Sequence, residues 1–323
     1  MPPDNVACYA SLKGSCIRVE SGSVKQRLKG IKKMFREYTK ALFKRVDARQ
    51  LMQFKPPTLP QRIYTKTLNV DNVHYASFCQ EVDWPANEHA HPLYLQMLSL
   101  PLQMQCLLDK QSPFPLLGLI HAANKVSVID HCDLSEPFEC RVRFHDVRPH
   151  NRGWEVDVML EALQAGNLVY RAISSYLVKV KAVHVAPLGA KNDLHDDCEL
   201  ENRALIGEIS ASANTGRRYA KLSGDYNPIH LSAISAKAFG FKQPIAHGMW
   251  TLSRAVSAFV SHQDFRQSMS VKEVNCRFRK PVFLPCDIHI QQHCKTDNSV
   301  LIDVTDSNDS LVHLSASLVF NQA

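Results

Sequence analysis

The 323-residue sequence lacks the long apolar runs that are typical of membrane proteins. It has no stretch of 18 or more apolar residues, so no membrane-spanning helix is predicted. Residues 1–14 contain no apolar stretch of signal-peptide length, so we expect the protein not to be exported. Apolar residues still make up 45% of the chain, which is enough to bury an ordinary globular core.

Closely spaced cysteine pairs are also missing. The ten cysteines include no CxxC pair, and their spacing matches no zinc pattern. Scattered single cysteines are typical of reduced proteins, in which cysteine acts as a small buried hydrophobe. We therefore expect a cytoplasmic protein without structural disulfides.

Acidic residues are scarce in the N-terminal segment. Residues 1–66 carry 15 Lys/Arg and 4 Asp/Glu, a net charge of +11, so the rest of the chain has a net charge of −4. This asymmetry favours an acidic partner or surface for the segment. No RNA- or DNA-binding motif accompanies the charge, so nucleic acid is not predicted as a partner.

The basic segment also has a helical pattern. Apolar residues recur every three or four positions from Val24 to Val46, which predicts an extra N-terminal helix over residues 23–53, ended by the Pro-rich residues 55–60. The helix either packs its apolar stripe on the body or makes a peripheral contact with an anionic membrane or a protein. A targeting segment is a third interpretation, because the stretch is poor in acids.

The body consists of two similar halves, predicted as domains over residues 67–190 and 191–323. Each half has a helical segment, over His91–Leu108 and His247–Ser261, followed by four strand-like runs. We expect Pro101 to kink or break the first helix. One helix followed by an antiparallel meander, twice over, predicts an α+β fold with two antiparallel sheets, each wrapped around a central helix.

The segment most informative about chemistry lies in the second half. Residues 223–228 read Ser-Gly-Asp-Tyr-Asn-Pro, which is dense in turn-forming residues and predicts a loop of defined shape. Asp225 and His230, five residues apart, can bring a carboxylate and an imidazole onto one water and share acid and base roles near neutral pH. Asn227 can stabilise the loop by bonding to nearby backbone.

Gly248 lies where the helix of the second half is predicted to begin. The first N–H groups of a helix lack partners and carry partial positive charge. Because glycine has no Cβ, a substrate oxygen can approach them closely. The position therefore suits a developing oxyanion, such as that of a thioester carbonyl.

Residues Tyr219–His230, followed by His247-Gly248-Met249, resemble the signature of the MaoC-like, R-specific enoyl-CoA hydratase family. The resemblance implies a double hot-dog fold and reversible hydration of trans-2-enoyl thioesters to (3R)-3-hydroxyacyl thioesters, carried by coenzyme A or acyl carrier protein. It implies no metal and no redox cofactor. It assigns catalytic roles to Asp225, His230 and Gly248. We expect substrate-binding residues at Ser223, Gly224, Asn227, His247, Met249 and Arg279.

One departure from the family pattern is visible. Where some members have a serine eight residues past the glycine, this chain has Val256, with Ser253 and Ser257 nearby. The polar contact made by that serine is therefore in doubt here.

The first half does not repeat the motif. If His91 corresponds to His247, Pro92 replaces Gly248, and proline has no N–H to donate. We expect the first half to be catalytically silent, and the resemblance implies that it shapes the acyl tunnel. Since two hot-dog units in one chain can pair with each other, the protein is expected to be a monomer or a homodimer.

Weaker alternatives stay open. Glu88-His89-Ala90-His91 has the HxH form of some metal sites. Several cations could bind coenzyme A phosphates or be solvated surface charges: Arg217, Arg218, Arg277, Arg279 and Lys280. A non-catalytic acyl-binding or scaffolding protein is the alternative from another class. A hot-dog thioesterase is a further enzymatic alternative, although its usual residues are placed differently.

Overall fold

The computed structural model describes residues 46, 48–85, 89–116, 118–180, 203–262, 269–293 and 296–321. Most of the predicted N-terminal helix over residues 23–53 lies outside the described residues. Within the described end of that range, Ala48–Met52 forms a 3₁₀ turn. The predicted domain boundary at residues 190 and 191 is also outside it, so the division into domains stays a prediction. Among the described residues, no helix has the length and hydropathy needed to cross a membrane.

Ten strands form one antiparallel sheet in the order β1-β3-β4-β5-β2-β7-β10-β9-β8-β6. The strand bounds are β1 Tyr64–Leu68, β2 Ile120–Val128, β3 Phe138–His150, β4 Gly153–Gln164, β5 Asn167–Lys179, β6 Ala204–Ala211, β7 Ser270–Phe278, β8 Cys286–His293, β9 Ser299–Asp306 and β10 Val312–Asn321.

Six α-helices accompany the sheet within the described residues. Their bounds are α1 Asn72–Val82, α2 Tyr94–Leu98, α3 Leu100–Leu107, α4 Thr215–Ser223, α5 Ala233–Ala238 and α6 Gly248–Ser261. A 3₁₀ helix, Pro228–His230, lies between α4 and α5. The helix predicted over His91–Leu108 is broken between α2 and α3, with Pro101 in the first turn of α3, where its missing N–H is tolerated.

The prediction of two separate sheets is wrong in one respect, because the two half-sheets are joined. β2 and β7 pair antiparallel, from Ala123 opposite Arg277 to Ser127 opposite Glu273. Each strand would be the edge of its own half-sheet, with unpaired backbone N–H and C=O groups, and the pairing satisfies them. The strand order on one side of this joint mirrors the order on the other, as expected of two similar halves.

The core lies between the helices and one face of the sheet. Leu252, Ala255, Val256 and Phe259 are buried on α6, which contacts β6, β8 and β9. In the first half, α3 contacts β1, β3 and β4. The helix of each half therefore packs on its own strands. Gly248, the first residue of α6, lies beside Phe278 at the end of β7.

Candidate active site

The loop that carries Asp225 is shaped by the end of α4. Gly224 adopts a left-handed conformation with φ 75°, and its N–H bonds to the carbonyl of Ala220. Glycine takes this helix-ending conformation without a Cβ clash. The hydroxyl of Ser223 accepts the N–H of Asp225 at 3.1 Å. Ser223 and Gly224 thus position Asp225 directly after the helix.

Asp225 and Asn227 stabilise the turn that follows. The N–H of Asn227 donates to Oδ1 of Asp225 at 3.2 Å, and the N–H of Ile229 donates to Oδ1 of Asn227 at 3.4 Å. Asn227 therefore caps the 3₁₀ helix that ends at His230, which confirms the predicted backbone bond of its side chain. The carboxylate is partly exposed, with 27% of the side-chain surface accessible.

His230 is buried and held in one orientation. Its Nδ1 lies 2.8 Å from the carbonyl oxygen of Ile245, so in the neutral ring the proton is on Nδ1 and Nε2 carries the lone pair. Burial and, to a smaller extent, the neighbouring His247 lower the pKa of His230 to about 3, although the charge of Asp225 opposes both. The ring is therefore neutral at pH 7 and able to accept a proton.

His247 links the loop to the start of α6. Its ring stacks on His230 with the centroids 3.7 Å apart, and its Nε2 lies 3.0 Å from the carbonyl oxygen of Asp225. The distance from Nε2 to the Asp225 carboxylate is 3.9 Å. Burial lowers the pKa of His247 as well, so the two stacked rings are neutral together and do not repel each other.

Gly248 is the first residue of α6, as predicted. A Cβ at this position would lie 2.7 Å from Cε1 of Phe278, so only glycine fits against that ring. The unpaired N–H groups of the first turn are beside His247 and the Asp225 loop. Met249 packs partly buried against the core, while Arg279 lies after β7 and donates to Ser315 at 2.9 Å.

Two side chains near Asp225 come from the first half and were not predicted. They are His121 on β2 and Tyr176 on β5, and the charge of Asp225 raises the pKa of both. Burial is the larger influence on each, and it lowers the pKa of His121 to about 4. Both residues lie far from the motif in the sequence, and no sequence pattern connects them to it. No local signal could therefore have identified them.

The first half has a counterpart of this loop without its chemical groups. Asp83 follows the last residue of α1 and adopts the left-handed conformation that Gly224 has after α4. Trp84 then takes the place of Asp225, and its ring packs on His91 with the centroids 4.5 Å apart. Pro92 follows His91 as Gly248 follows His247, and its carbonyl accepts the hydroxyl of Tyr170.

The weaker alternative of an HxH metal site finds no support at His91. Its Nδ1 accepts the N–H of Leu93 at 3.0 Å, and its Nε2 lies 3.3 Å from the carbonyl oxygen of Ser253. Both nitrogens of this buried ring therefore have partners inside the protein. Glu88 lies outside the described residues.

Comparison with known proteins identifies the second half. A family model described as "MaoC like domain" matches residues 201–312. The chain contains a MaoC-like domain. It is 28% identical over 229 residues to 3-hydroxyacyl-thioester dehydratase X of Mycobacterium tuberculosis, covering 70% of this chain and 78% of that protein.

One further relative and one solved structure extend the match beyond the MaoC-like domain. The chain is 27% identical over 227 residues to peroxisomal multifunctional enzyme type 2 of Drosophila melanogaster, covering 66% of this chain but only 37% of that enzyme. The crystal structure of HtdX of Mycobacterium tuberculosis superposes with a TM-score of 0.65 at 23% identity, over 80% of this chain and 99% of that one. The fold is therefore hot-dog-like.

Three side chains of the MaoC-like domain have the geometry of metal ligands. One ligand atom each from Asp225, His230 and His247 lie within 4.8 Å of one another. Two imidazoles and a carboxylate form a set that several divalent metals accept. The expectation that no metal takes part stays a prediction.

The buried histidines make the stability of the protein sensitive to mild acid. His91 and His230 have pKa values of about 3, below the value near 6.5 of an unfolded chain. Between these values the unfolded state binds more protons, so stability is complete above pH 6.5 and is lost as the pH falls. From pH 7.5 to 5.5 we expect urea unfolding to show a loss of about 1.4 kcal/mol for each ring.

Carboxylates contribute little over this range, because their unfolded pKa values lie near 4. His91→Asn should therefore reduce the loss by the share of one ring. An unfolding free energy that is the same at pH 7.5 and 5.5 would show that these rings are not held neutral.

Proposed function

We propose that this protein is a hydro-lyase that reversibly hydrates trans-2-enoyl thioesters to (3R)-3-hydroxyacyl thioesters. The observation that carries the proposal is the cluster of Asp225, the neutral His230 and His247, with His247 directly before Gly248, the first residue of α6. The names of the relatives agree with this reaction, since they include a 3-hydroxyacyl-thioester dehydratase and an "Enoyl-CoA hydratase 2" of Arabidopsis thaliana.

In the proposed mechanism, Asp225 and His230 hold the reacting water. The pair takes a proton from water as its oxygen bonds to C3, and a proton is delivered to C2, so that the elements of water add across the double bond. The lone pair on Nε2 of His230 suits proton transfer. We treat the two groups as one unit, because closely coupled groups titrate together.

The N–H at Gly248 is proposed to stabilise the transient negative charge on the thioester oxygen. A hydrogen-bond donor fixed at a helix start needs no reorganisation when that charge develops. His247 contributes by connecting this helix start to the Asp225 loop. The loop that carries Asp225 is shaped by Ser223, Gly224 and Asn227, which are proposed to affect substrate binding in this way. Met249 and Arg279 are proposed as outer substrate contacts.

The acyl carrier is proposed to be coenzyme A or acyl carrier protein. Two cations considered as phosphate ligands are already paired: Arg217 donates to the carbonyl of Leu231 and Arg218 binds Glu81 on α1. Arg277 lies 3.7 Å from Glu155. These contacts favour structural roles for the three arginines. They therefore do not indicate whether the acyl carrier is coenzyme A or acyl carrier protein.

The two halves are proposed to have different roles. Trp84 and Pro92, in the places of Asp225 and Gly248, support a silent domain over residues 67–190 beside an active domain over residues 191–323. The buried Val256 supplies no hydroxyl at the position where some family members have serine. We propose a cytoplasmic monomer or homodimer, with the basic residues 1–66 available for a membrane or protein contact.

A hydration assay over enoyl thioesters of increasing chain length, on both carriers, tests the proposed function. We expect loss of the enoyl-thioester absorbance with at least one carrier, and the same rate after treatment with EDTA. Activity that EDTA abolishes and a divalent metal restores would contradict the metal-free mechanism. Binding of every thioester without hydration would instead support the acyl-binding alternative, and release of free thiol would support a thioesterase.

A further inference from the structure

A one-residue bulge in β2 determines where His121 points. The pairing of β2 with β5 shifts between His121 and Ala123, so Ala122 is the extra residue. Asn124 faces the core, where it bonds to Ser174. Without the bulge, His121 would face away from Asn124, since the two are an odd number of residues apart. The bulge turns His121 to the same face.

The strand partner of His121 shows which face this is. Tyr176 lies opposite His121, and Ser174 lies two residues earlier on the same strand, hence on the same side of the sheet. Ser174 accepts a hydrogen bond from Gln96 of α2, so this is the face covered by the helices. His121 therefore lies on the helix side of the sheet, at the joint between the halves.

His121 is placed next to the proposed oxyanion site by Phe278. The imidazole stacks on Tyr176 and is tilted against Phe278, with both ring centroids 4.9 Å away. Phe278 is also the ring that leaves room for glycine alone at position 248. A single aromatic side chain thus separates His121, from the first half, from the start of α6 in the second half.

One nitrogen of His121 has no partner. Its Nε2 is buried and makes no hydrogen bond with any described residue. A buried polar atom left unpaired is costly, so it is a place where a bound ligand can compensate. Burial lowers the pKa of His121, which keeps the ring neutral. A hydrogen bond with the Ala123 backbone raises that pKa, as expected when the other ring nitrogen, Nδ1, is the donor. Nε2 then carries the lone pair.

We propose that Nε2 of His121 accepts a hydrogen bond from an amide N–H of the pantetheine arm of the substrate bound at Asp225 and His230. The inference rests on the proposed function, because that arm is common to coenzyme A and acyl carrier protein. It makes the site composite: the second half supplies the reacting groups, and the catalytically silent first half supplies a ligand contact. His121 is then a substrate-binding residue that the motif does not contain.

Binding of butyryl-CoA, a saturated thioester that cannot be hydrated, tests this contact by isothermal titration calorimetry. His121→Phe preserves a ring against Tyr176 and Phe278 but has no nitrogen, whereas His121→Gln provides an acceptor near the position of Nε2. We expect about tenfold weaker binding for His121→Phe, the effect of one lost hydrogen bond, and a loss of about threefold or less for His121→Gln. Lys125→Ala, an exposed change on the same strand, should bind like the wild type.

A merely structural role for His121 predicts a different pattern. If His121→Phe melts like the wild type and binds butyryl-CoA equally well, the contact does not exist. In the wild type, the ¹⁵N resonance of His121 Nε2 should shift on saturation with butyryl-CoA, and an unchanged resonance would overturn the proposal even if a variant failed to fold. Failure of wild type to bind butyryl-CoA would overturn it too.

The hydration assay separates this proposal from the proposed function. Binding that depends on His121, without any hydration of crotonyl-CoA, would contradict the hydratase function and retain the contact. Hydration that does not depend on His121, with equal KM for wild type and His121→Phe, would retain the function and contradict the contact.

Discussion

Replacing Asp225 by Asn should lower kcat for crotonyl-CoA hydration by about 10²- to 10⁴-fold, the usual contribution of general acid–base catalysis. Asparagine retains an oxygen that can accept the N–H of Asn227, so the turn should keep its shape. What is lost is the negative charge and the ability to exchange a proton. Steady-state kinetics, with circular dichroism and thermal melting to verify the fold, would measure the effect.

His230→Ala provides the matching variant for the other member of the pair. It removes the imidazole that is held by Ile245 and should lower kcat by a similar factor. Because the two groups act together, the double variant should be little worse than either single one. A folded Asp225→Asn protein with a kcat close to that of the wild type would contradict the assignment of the pair.

Gly248→Ala should lower kcat by about 10²-fold, in the range found on removing an oxyanion donor. The new methyl would lie 2.7 Å from Cε1 of Phe278, so either the ring or the first turn of α6 must move. Movement of that turn displaces the N–H from the thioester oxygen. The same crowding should cost about 1 to 3 kcal/mol of stability, as overpacking usually does.

A second substitution tests whether displacement of the helix start is the cause. Gly248→Ala combined with Phe278→Leu makes room for the methyl, so kcat should recover at least about tenfold, with Phe278→Leu alone as the control. Comparison of kcat and melting temperature across the four proteins separates activity from stability. An unimpaired Gly248→Ala enzyme would show that the start of α6 is not the oxyanion site.

Much of the fold follows from local sequence patterns. The strand-like runs in each half and the helix beginning at Gly248 lie where periodicity places them, and Pro101 interrupts its helix as expected. β1 and β6 were missed, since several exposed residues in each interrupt the apolar pattern. α1 was missed because only Phe78 and Val82 are buried along it, too few to produce a helical pattern.

The joining of the half-sheets could not be predicted from either half alone. β2 and β7 pair through backbone groups, and backbone pairing leaves no pattern of side chains to read. The prediction of two sheets therefore missed the contact that brings residues of the first half to the site in the second.

The candidate site divides in the same way between local and distant contacts. The bonds among Ser223, Asp225 and Asn227 join residues close in sequence, so the turn could be predicted from the motif. The stacking of His247 on His230 joins residues from separate elements. The orientation of His121 depends on a strand bulge in the other half. Such contacts are set by tertiary packing.

Conversion of crotonyl-CoA by the wild type and by Asp225→Asn, at equal enzyme concentration and with chiral analysis of the product, tests the central claim most directly. The account predicts that the wild type forms (3R)-3-hydroxybutyryl-CoA and that the variant forms about 10²- to 10⁴-fold less per unit time. Formation of the (3S) product, or equal rates for the two proteins, would contradict it.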